Sequence, residues 1–333
     1  MAREMEFDLL NLEGTVVSKN LSNYTSMLYA PPKFGKTTFA VKMFPKHLIL
    51  GWEIGYKSIK GSKGVPMRKW SDCSKITRQL KDEKVKELYD VLVIDSMDLM
   101  YDAALKHILA VNGVDSINKI GFGQGYTQLD NLIRDQLLEW QRLGYSLFFI
   151  SHSINREEEI TLADGSKETI EKYIPTLNKR CFNVINKFVD NIFFGNILLD
   201  TERNEHRVLF TRETIHYKAG SRFSHLAERL PLDVKIVNEE IEKALLKEDD
   251  REEPIENTTP FEEKERTFDE VKEELTTFVM EKYYGNDKMD EVTKIVESVL
   301  GIGSTVNDAT ESQIDALETI LIKLMDRADE LGL

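Results

Sequence analysis

The stretch A-P-P-K-F-G-K-T at residues 30–37 decides the fold of this chain. It lies between a short apolar run, Tyr24–Tyr29, and a segment with apolar residues at helical spacing, Thr37–Phe44. A strand, a tight turn and a helix in this order form a phosphate-binding loop, because backbone N–H groups and a helix N-terminus together surround the negative charge of phosphate. The sequence therefore predicts a nucleoside triphosphate site.

Each residue type in the loop suits this chemistry. Gly35 permits close approach of phosphate, Lys36 is placed to reach the β and γ phosphates, and the Thr37 hydroxyl is a ligand for Mg²⁺. Ala30 stands where the usual pattern has glycine, and alanine is the smallest replacement. The rest of the predicted nucleotide-binding set is Pro31, Pro32, Lys33, Phe34 and Thr38.

Downstream, apolar runs alternate with longer amphipathic segments, which is typical of a mostly parallel sheet covered by helices on both faces. Strands are predicted at 47–51, 91–94, 146–150, 191–199 and 207–210, and helices at 75–89, 99–111, 126–143, from near 176, and at 234–246. We expect the strands at 191–199 and 207–210 to pair at the sheet edge. Asp164-Gly165 separates two alternating polar and apolar runs and predicts a projecting β-hairpin.

The charge is distributed unevenly along the chain. Residues 247–333 hold 10 Lys and Arg against 25 Asp and Glu, which leaves 34 and 33 for residues 1–246. The proline-interrupted acidic stretch predicts a linker, and helical periodicity follows at 268–284, 289–300 and 311–331. We predict a nucleotide-binding core at 1–246, which the resemblance given below makes a RecA-like ATPase core, an acidic linker at 247–267 and a helical module at 268–333.

The composition also bears on location. The two cysteines, Cys73 and Cys181, are far apart and lack a C-x-x-C partner, so ordinary reduced thiols are favoured over a disulfide framework or a zinc site. No run of residues approaches the roughly 18 apolar residues that span a bilayer, and the first residues lack the pattern of a secretory signal. We expect a cytoplasmic protein with no membrane association.

Three polar residues follow predicted strands. Asp95 ends the strand V-L-V-I-D and is the expected Mg²⁺ carboxylate, although it also fits a helix N-cap. Ser96 comes next, where many AAA-plus ATPases place a glutamate that activates water. Glu53 follows the second strand and is the alternative base, or an exposed loop acid. His152 follows the fourth strand, where it either senses the γ-phosphate or caps a strand end.

These residues together resemble a family. The phosphate loop, the acid after the second strand, V-L-V-I-D-S at 91–96, G-F-G-Q-G-Y at 121–126, F-F-I-S-H at 148–152 and K-A-G-S-R-F at 218–223 resemble the phage-encoded RecA-core ATPases. Members of this family are found beside phage single-strand annealing and recombination genes, and the resemblance covers 24–232. It implies a RecA-like P-loop core that uses ATP and Mg²⁺, binds single-stranded DNA, often forms a homo-oligomer, and acts in the host cytoplasm.

The resemblance also implies residue roles. Lys36 and Thr37 would hold phosphate and Mg²⁺, Asp95 the metal, Glu53 the attacking water, and His152 the γ-phosphate signal. Glu53 would come from a strand beside the phosphate loop, as in RecA-type proteins. Arg222 would reach the nucleotide of a neighbouring subunit, with Lys218 as a second candidate. The pair is more widely spaced than the family's basic pair, and Gly51-Trp52 precede Glu53 where the family often has aspartate.

DNA contacts are expected in two loops of a RecA-like arrangement, 112–128 and 155–180. These loops mix cations for phosphate with aromatic rings for base stacking. The candidates are Lys119, Phe122, Tyr126, Arg156, Lys167, Lys172, Lys179 and Arg180. Five glutamates in the hairpin, at 157–159, 168 and 171, favour a second explanation, a solvated hairpin that binds no ligand.

Two other functions are compatible with the same residues. One is an AAA-plus-type remodeller or helicase loader that acts on a protein, against which Ser96 and the absence of a clear helical lid argue. The other is a non-hydrolysing nucleotide switch whose C-terminal helices recruit a single-strand-binding or other replication protein. The acidic tail either occupies the DNA site as a mimic of nucleic acid or keeps the protein soluble, and we favour the second.

Overall fold

A mostly parallel sheet organises the described part of the first unit. The strands are β1 (Ser26–Ala30), β2 (His47–Gly51), β3 (Gly64–Pro66), β4 (Val91–Asp95), β5 (Ser146–Thr161), β6 (Lys167–Pro175), β7 (Asn191–Leu199), β8 (Glu205–Phe210), β9 (Gly220–Ser221) and β10 (Arg229–Pro231). The helices are α1 (Lys36–Met43), α2 (Ser71–Leu80), α3 (Glu83–Lys86), α4 (Met97–Val111), α5 (Gln124–Arg142), α6 (Lys179–Ile185) and α7 (Val234–Asp249). The predicted α/β class is confirmed.

The computed structural model describes residues 18–249 and 266–333, apart from the side chains of Phe122, Glu248 and Asp249. The chain divides into two units, Met1–Glu263 and Lys264–Leu333, each with its own contacts. Helix α7 extends three residues beyond 246, the predicted end of the core. Most of the predicted linker at 247–267 lies outside the described residues. Of the described helices, none is long and apolar enough to cross a membrane.

The strand order is β10-β8-β7-β1-β5-β4-β2-β3, with β6 paired to β5 and β9 to β7. The six strands from β7 to β3 are parallel, whereas β8 and β10 are antiparallel additions. Two expectations are corrected here. Strand β7 pairs with β8 as predicted, but it lies inside the sheet beside β1, and β10 forms the edge. Strand β2 is not next to β1, because β5 and β4 lie between them.

The two faces of the sheet carry different helices. On β1, Met27 and Tyr29 pack into a cluster with α2, α4, α5 and α6, while Leu28 and Ala30 pack into a second cluster with α1 and α7. Every residue of β1 is buried, as in a strand covered on both faces. The carboxyl ends of β1, β5, β4 and β2 therefore meet at one edge of a rigid sheet, where polar side chains can be held in fixed positions.

Two predicted elements have different bounds in the structure. The helix predicted at 75–89 is two helices, because the chain turns at Asp82, whose side chain accepts a hydrogen bond from the backbone N–H of Lys84 and starts α3. The predicted strand at 146–150 continues to Thr161, because its outer half pairs with β6 instead of the core sheet. The predicted hairpin is confirmed, and it is an extension of a core strand. The helix expected from near 176 begins at Lys179.

The second unit is a three-helix bundle made of α8 (Phe268–Lys282), α9 (Met289–Leu300) and α10 (Ile314–Leu331). Helix α8 begins at a capping box in which Thr267 and Glu270 bond reciprocally to each other's backbone N–H. Apolar side chains from all three helices form a core separate from that of the first unit. The hydroxyl of Tyr283 donates to the buried carbonyl of Leu324, which fixes α8 against α10. All three helices confirm the predicted periodicity.

Candidate nucleotide-binding site

The loop between β1 and α1 turns sharply at two residues. Lys33 has φ 62° and Gly35, the N-cap of α1, has φ 104°. When residues in the left-handed backbone conformation lie between residues with negative φ, successive backbone N–H groups point to one side. This forms a concave anion site at a helix N-terminus. Gly35 is required here because other residues rarely adopt its backbone conformation. The backbone therefore fits a bound phosphate.

Two residues of the predicted nucleotide-binding set lie beneath the loop. The side chains of Phe34 and Ala30 are fully buried, so a nucleotide can meet only their backbone. A Cβ atom placed on Gly195 of β7 would lie 2.4 Å from Cε1 of Phe34 and 2.9 Å from Cβ of Ala30. The glycine thus makes room for the ring, and the ring supports the turn above it.

Lys36 uses all of its donors within the site. Its ammonium donates to the carbonyl oxygens of Ala30 and Pro31 at 2.9 and 3.0 Å, and its Nζ lies 3.2 Å from Nδ1 of His152. Burial lowers the pKa of Lys36, while Asp95 and Glu53 oppose that shift. Because the carbonyl partners are neutral, a phosphate that replaced them would bind the ammonium more strongly.

Thr37 and Asp95 lie together on the other side of the loop. The Thr37 hydroxyl donates to Oδ2 of Asp95 at 2.7 Å. Asp95 is only 4% exposed, and burial raises its pKa against the hydrogen bond from Thr37. A hydroxyl and a carboxylate oxygen this close suit Mg²⁺, which prefers oxygen ligands and keeps several waters. Within residues 18–249 and 266–333, no cluster of three or more His, Cys, Asp or Glu could hold a metal, so phosphate and water would complete the shell.

Glu53 and His152 join this cluster from two different strands. Nε2 of His152 lies 3.4 Å from Oε2 of Glu53. Since the Lys36 ammonium can only donate, Nδ1 of His152 accepts, and the imidazole proton is on Nε2, facing Glu53. The backbone N–H of Glu53 donates to the carbonyl of Asp95 at 2.9 Å. This bond holds Glu53 near the loop although β2 is distant from β1 in the sheet.

Ser96 does not replace the missing glutamate. It is buried, with 1% of its surface exposed, and its peptide bond to Asp95 is cis. Glu53 is half exposed, with 48% of its side chain accessible. A solvent-accessible carboxylate beside the predicted metal and phosphate residues can take a proton from water, so Glu53 has the geometry for that step and Ser96 does not.

Arg222 and Lys218 are not brought to this cluster. The Nε of Arg222 pairs with Asp190 at 3.1 Å, beside the start of β7 and therefore at the opposite end of β1 from the phosphate loop. Lys218 pairs with Glu213 at 2.7 Å. The Tyr29 hydroxyl donates to the backbone carbonyl of Lys218 at 2.5 Å, which places the Lys218 backbone near the loop end of β1. The assignment of Arg222 and Lys218 to the nucleotide of a neighbouring subunit stays a prediction.

Arg207 is a site residue that sequence reasoning missed. A Cβ on Gly35 would lie 3.5 Å from Nη1 of Arg207 and 3.7 Å from Leu232. Arg207 is exposed on β8, opposite Ile197 of β7 and thus beyond the end of β1. The sequence placed a strand at 207–210, but only the pairing of β7 with both β1 and β8 brings this guanidinium over the loop.

The predicted DNA-binding residues fall into two groups. Tyr126, Lys179 and Arg180 line one groove of about 950 Å³ between α5 and α6, which also contains Arg134, Lys187 and Phe188. The other candidates lie elsewhere: Lys119 pairs with Asp115 at 2.7 Å, Lys167 pairs with Glu159 at 2.6 Å, Lys172 pairs with Glu158 at 3.2 Å, and Arg156 lies on the hairpin. The side chain of Phe122 lies outside the described part.

The groove has both aromatic and cationic walls. The Arg180 guanidinium lies 4.6 Å from the centre of the Tyr126 ring and 3.2 Å from Asp130. The other carboxylate oxygen of Asp130, Oδ1, is buried and has no hydrogen-bond partner among the described residues. The lining holds four cations and one acid, and Arg134 pairs with Asp135 beside the groove at 2.9 Å. Two net positive charges remain, as expected of a surface that binds a phosphate backbone.

Comparisons with known proteins found a relative, a solved structure and a family. The SPbeta prophage-derived uncharacterized protein YorG of Bacillus subtilis (strain 168) is 25% identical, over 97% of this chain and 99% of that protein. A KaiC-like protein from the hyperthermophilic archaeon Pyrococcus horikoshii OT3 has a solved structure that aligns with TM-score 0.34 and 13% identity, over 63% of this chain and 85% of that one. The AAA domain family matches residues 22–223, from the residues before β1 to those after β9. This range contains the residues that surround the phosphate loop, namely Lys36, Thr37, Glu53, Asp95 and His152. The chain belongs to the AAA domain family of nucleotide-binding ATPases.

Proposed function

We propose that this protein hydrolyses ATP with Mg²⁺ and couples hydrolysis to single-stranded DNA during phage recombination, annealing or replication. The observation that carries the DNA part is the groove between α5 and α6, where Tyr126, Lys179 and Arg180 lie together. A ring can stack on a base while lysines contact successive phosphates, a combination that tolerates any sequence. The prophage origin given for the Bacillus relative supports the phage setting.

Each residue of the site has its own role in the proposed hydrolysis. Loop N–H groups and Lys36 bind the phosphates, Arg207 adds a positive charge from β8, and Glu53 accepts a proton from the attacking water. When bound to Thr37 and Asp95, Mg²⁺ supplies positive charge that offsets the charge developing on phosphate. His152 orients Glu53 through its Nε2 proton and exchanges its bond to Lys36 when phosphate arrives.

A chain of hydrogen bonds supports coupling of the two sites. The carbonyl of His152 accepts from the backbone N–H of Thr176 at 2.9 Å, and the Thr176 hydroxyl donates to Asp98 at 2.5 Å. Two residues later, Asn178 accepts from the N–H of Arg180 at 2.9 Å and caps α6. A shift of His152 would therefore move the start of α6, which carries Lys179 and Arg180.

The test measures steady-state ATP hydrolysis with and without single-stranded DNA, with Lys36→Ala as the background control. We expect DNA to stimulate hydrolysis by the unmodified chain only. Lys179→Ala and Lys187→Ala should weaken DNA binding, and each should reduce the slope of log affinity against log salt by about 0.7. Lys84→Ala, on an exposed helix outside the groove, is the matched control and should leave the slope unchanged. Equal slopes in all variants would exclude this groove as the DNA site.

A second candidate function is action on a protein partner, as a remodeller, helicase loader or nucleotide switch. It is favoured by exposed apolar side chains on the C-terminal bundle, among which Ile302 is 95% exposed and Tyr284 64%. Contiguous apolar surface marks protein interaction sites, so Ile302 and Tyr284 are the first positions at which to test for a protein partner. An ATP hydrolysis rate that is the same with and without single-stranded DNA would favour the remodeller. ATP binding without hydrolysis would favour the switch.

A further inference from the structure

A second groove lies beside the residue that precedes Glu53. It has a volume of about 390 Å³ and runs along α4, between that helix and the segment that links β3 to α2. Its floor is apolar, and cations lie on both walls, with Arg68 and Lys69 on one side and Lys106 on the other, beside His107. The floor consists of Trp52, Met67, Trp70, Leu99, Ala103 and Ala110. Only Asp102 adds a negative charge.

The floor favours apolar side chains over stacked bases. Trp70 and Met67 are 6% and 5% exposed, so neither offers an open surface for stacking, whereas Leu99 is 41% exposed at the groove. The indole Nε1 of Trp52 is buried and has no hydrogen-bond partner among the described residues. A buried donor without an acceptor is costly, and the carbonyl of a bound peptide would supply one. The groove therefore suits an acidic peptide with bulky apolar side chains.

The first residues of this chain have that composition. Residues 4–10 read E-M-E-F-D-L-L, so acids at 4, 6 and 8 alternate with apolar residues at 5, 7 and 9. In an extended strand the two sets lie on opposite faces. One face would fill an apolar floor while the acids meet cationic walls. The acidic stretch at 250–265 fits less well, because its large apolar residues are Ile255 and Phe261 alone.

The position of residue 18 indicates that the segment in the groove comes from a second copy of the chain. Lys19 pairs with Glu242 of α7 at 3.4 Å, and α7 covers the face of the sheet that carries α1. The groove is on the other face, because Met67 and Trp70 belong to the cluster of α2 and α4. Residue 18, the first described residue, therefore lies on the face of its own domain away from its own groove. A neighbouring copy can present its groove to the segment directly.

We propose that the segment 1–17 of one copy docks in the groove lined by Trp52, Leu99 and Lys106 of a second copy. The acids contact Arg68, Lys69 and Lys106, and the apolar side chains cover Leu99 and the two tryptophans. Trp52 is the neighbour of Glu53, so the docked segment lies one residue from the carboxylate at the nucleotide site. The contact is heterologous, and it links the copies head to tail.

The first test uses the full chain with the photo-crosslinking amino acid benzoylphenylalanine in place of Leu99. This ¹⁴N chain is mixed with unmodified ¹⁵N chain, irradiated, digested and examined by mass spectrometry. We expect the ¹⁴N groove peptide joined to ¹⁵N peptide from residues 1–17. The same probe at Leu88, which is 51% exposed outside the groove, should give no such product. The proposal would be overturned if the probe joined only to the ¹⁴N segment 1–17, to another segment of the chain, or only to added single-stranded DNA. It would also be overturned if no crosslinked product formed.

The second test measures mass by sedimentation velocity. The unmodified chain should sediment above its monomer mass of 38.4 kDa at micromolar concentration, and Phe7→Ser, Leu99→Glu and Lys106→Glu should each shift it lower. A synthetic peptide of residues 1–17 should compete and lower the mass in the same way. Lys84→Glu is the charge-matched control and should change nothing. If neither the three substitutions nor the peptide lowered the mass measured by sedimentation, the proposed docking would be refuted. DNA-stimulated hydrolysis is scored separately, so this result does not depend on the proposed function.

Discussion

The ammonium of Lys36 lies 3.2 Å from Nδ1 of His152, and Nε2 of the same ring lies 3.4 Å from Glu53. One imidazole thus connects the residue that would bind phosphate to the residue that would activate water. When phosphate draws Lys36 away from His152, Nδ1 loses its donor, and the ring is free to reorient together with Glu53. In the proposed function, binding and hydrolysis would thus be linked by a side chain that need not touch the nucleotide.

Glu53→Gln should abolish most hydrolysis without loss of ATP binding. The amide keeps the size of the side chain but cannot accept a proton, and general-base catalysis typically contributes about 10²–10⁴-fold. Single-turnover hydrolysis and binding of a fluorescent ATP analogue measure the two steps. Glu87→Gln, at an exposed position away from the site, is the control. Unchanged hydrolysis would remove Glu53 from the reaction.

Arg207→Ala should weaken nucleotide binding by about 10- to 100-fold, since a hydrogen bond to a charged group contributes roughly 1.5–3 kcal/mol. The guanidinium lies over Gly35, and the fold should survive because Arg207 is exposed. Equilibrium titration with ATP measures the change. The control is Arg203→Asn in the same β7–β8 turn, because asparagine tolerates the left-handed backbone of Arg203, with φ 67°. Equal affinities in both variants would contradict a phosphate contact.

Gly195→Ala should loosen the phosphate loop from below. Its new Cβ would meet the Phe34 ring at 2.4 Å, and overpacking of a core typically costs about 1–3 kcal/mol. We expect a lower midpoint of urea unfolding and weaker ATP binding together. Gly220→Ala on the neighbouring β9 is the matched control, because a Cβ there would have no atom within 4 Å. Loss of stability with normal ATP binding would show that Phe34 does not support the loop.

The two cysteines should resist alkylation until the protein unfolds. Burial raises the pKa of Cys73 from its ordinary 9.0 to about 12 and also raises that of Cys181. Three pKa units reduce the reactive thiolate about a thousandfold. Because the native state holds these protons more tightly, their contribution to stability is complete below pH 9.0 and is lost as the pH rises towards 12.

Iodoacetamide labelling at pH 8, followed by mass spectrometry, measures this protection. Neither thiol should react in the native chain, and both should react in urea. The urea midpoint should also fall between pH 9 and pH 11. Rapid labelling of the native protein would mean that the core around Cys73 opens often.

The phosphate loop, the strands near it and the three C-terminal helices could be predicted because each depends on local pattern. The sequence places Lys36 and Thr37 in the turn that follows the first strand and places Asp95, Glu53 and His152 after later strands, and the sheet brings these positions together. The position of β2 could not be predicted, because strand order depends on pairing between distant segments. The same limit applies to Arg207, which reaches Gly35 only through the pairing of β8 with β7. The break at Asp82 was missed because one capping hydrogen bond there outweighs a continuous helical pattern.

Thr176→Val should reduce the stimulation of ATP hydrolysis by single-stranded DNA without reducing basal hydrolysis. The substitution keeps the shape of the side chain but removes the hydroxyl, which donates to Asp98 at 2.5 Å and lies 3.2 Å from the carbonyl oxygen of His152. The backbone bond from Thr176 to His152 remains. We expect basal hydrolysis and ATP affinity close to normal, with the stimulation by single-stranded DNA reduced several-fold. The reason is that α6, which carries Lys179 and Arg180, loses one of its two links to the nucleotide site. Hydrolysis rates at saturating ATP, titrated with DNA, give both quantities from one series.

Thr169→Val is the matched control for this series, because Thr169 is an exposed threonine on the hairpin, paired with Glu159 across the strands. Its stimulation should equal that of the unmodified chain. DNA affinity, measured separately by fluorescence anisotropy, should be similar in all three proteins, since Thr176 does not line the groove. Normal stimulation in Thr176→Val would mean that the Thr176 hydroxyl does not carry the signal. Stimulation lost together with DNA affinity would mean that Thr176 shapes the groove itself, and the coupling would then have to run through the backbone between His152 and α6.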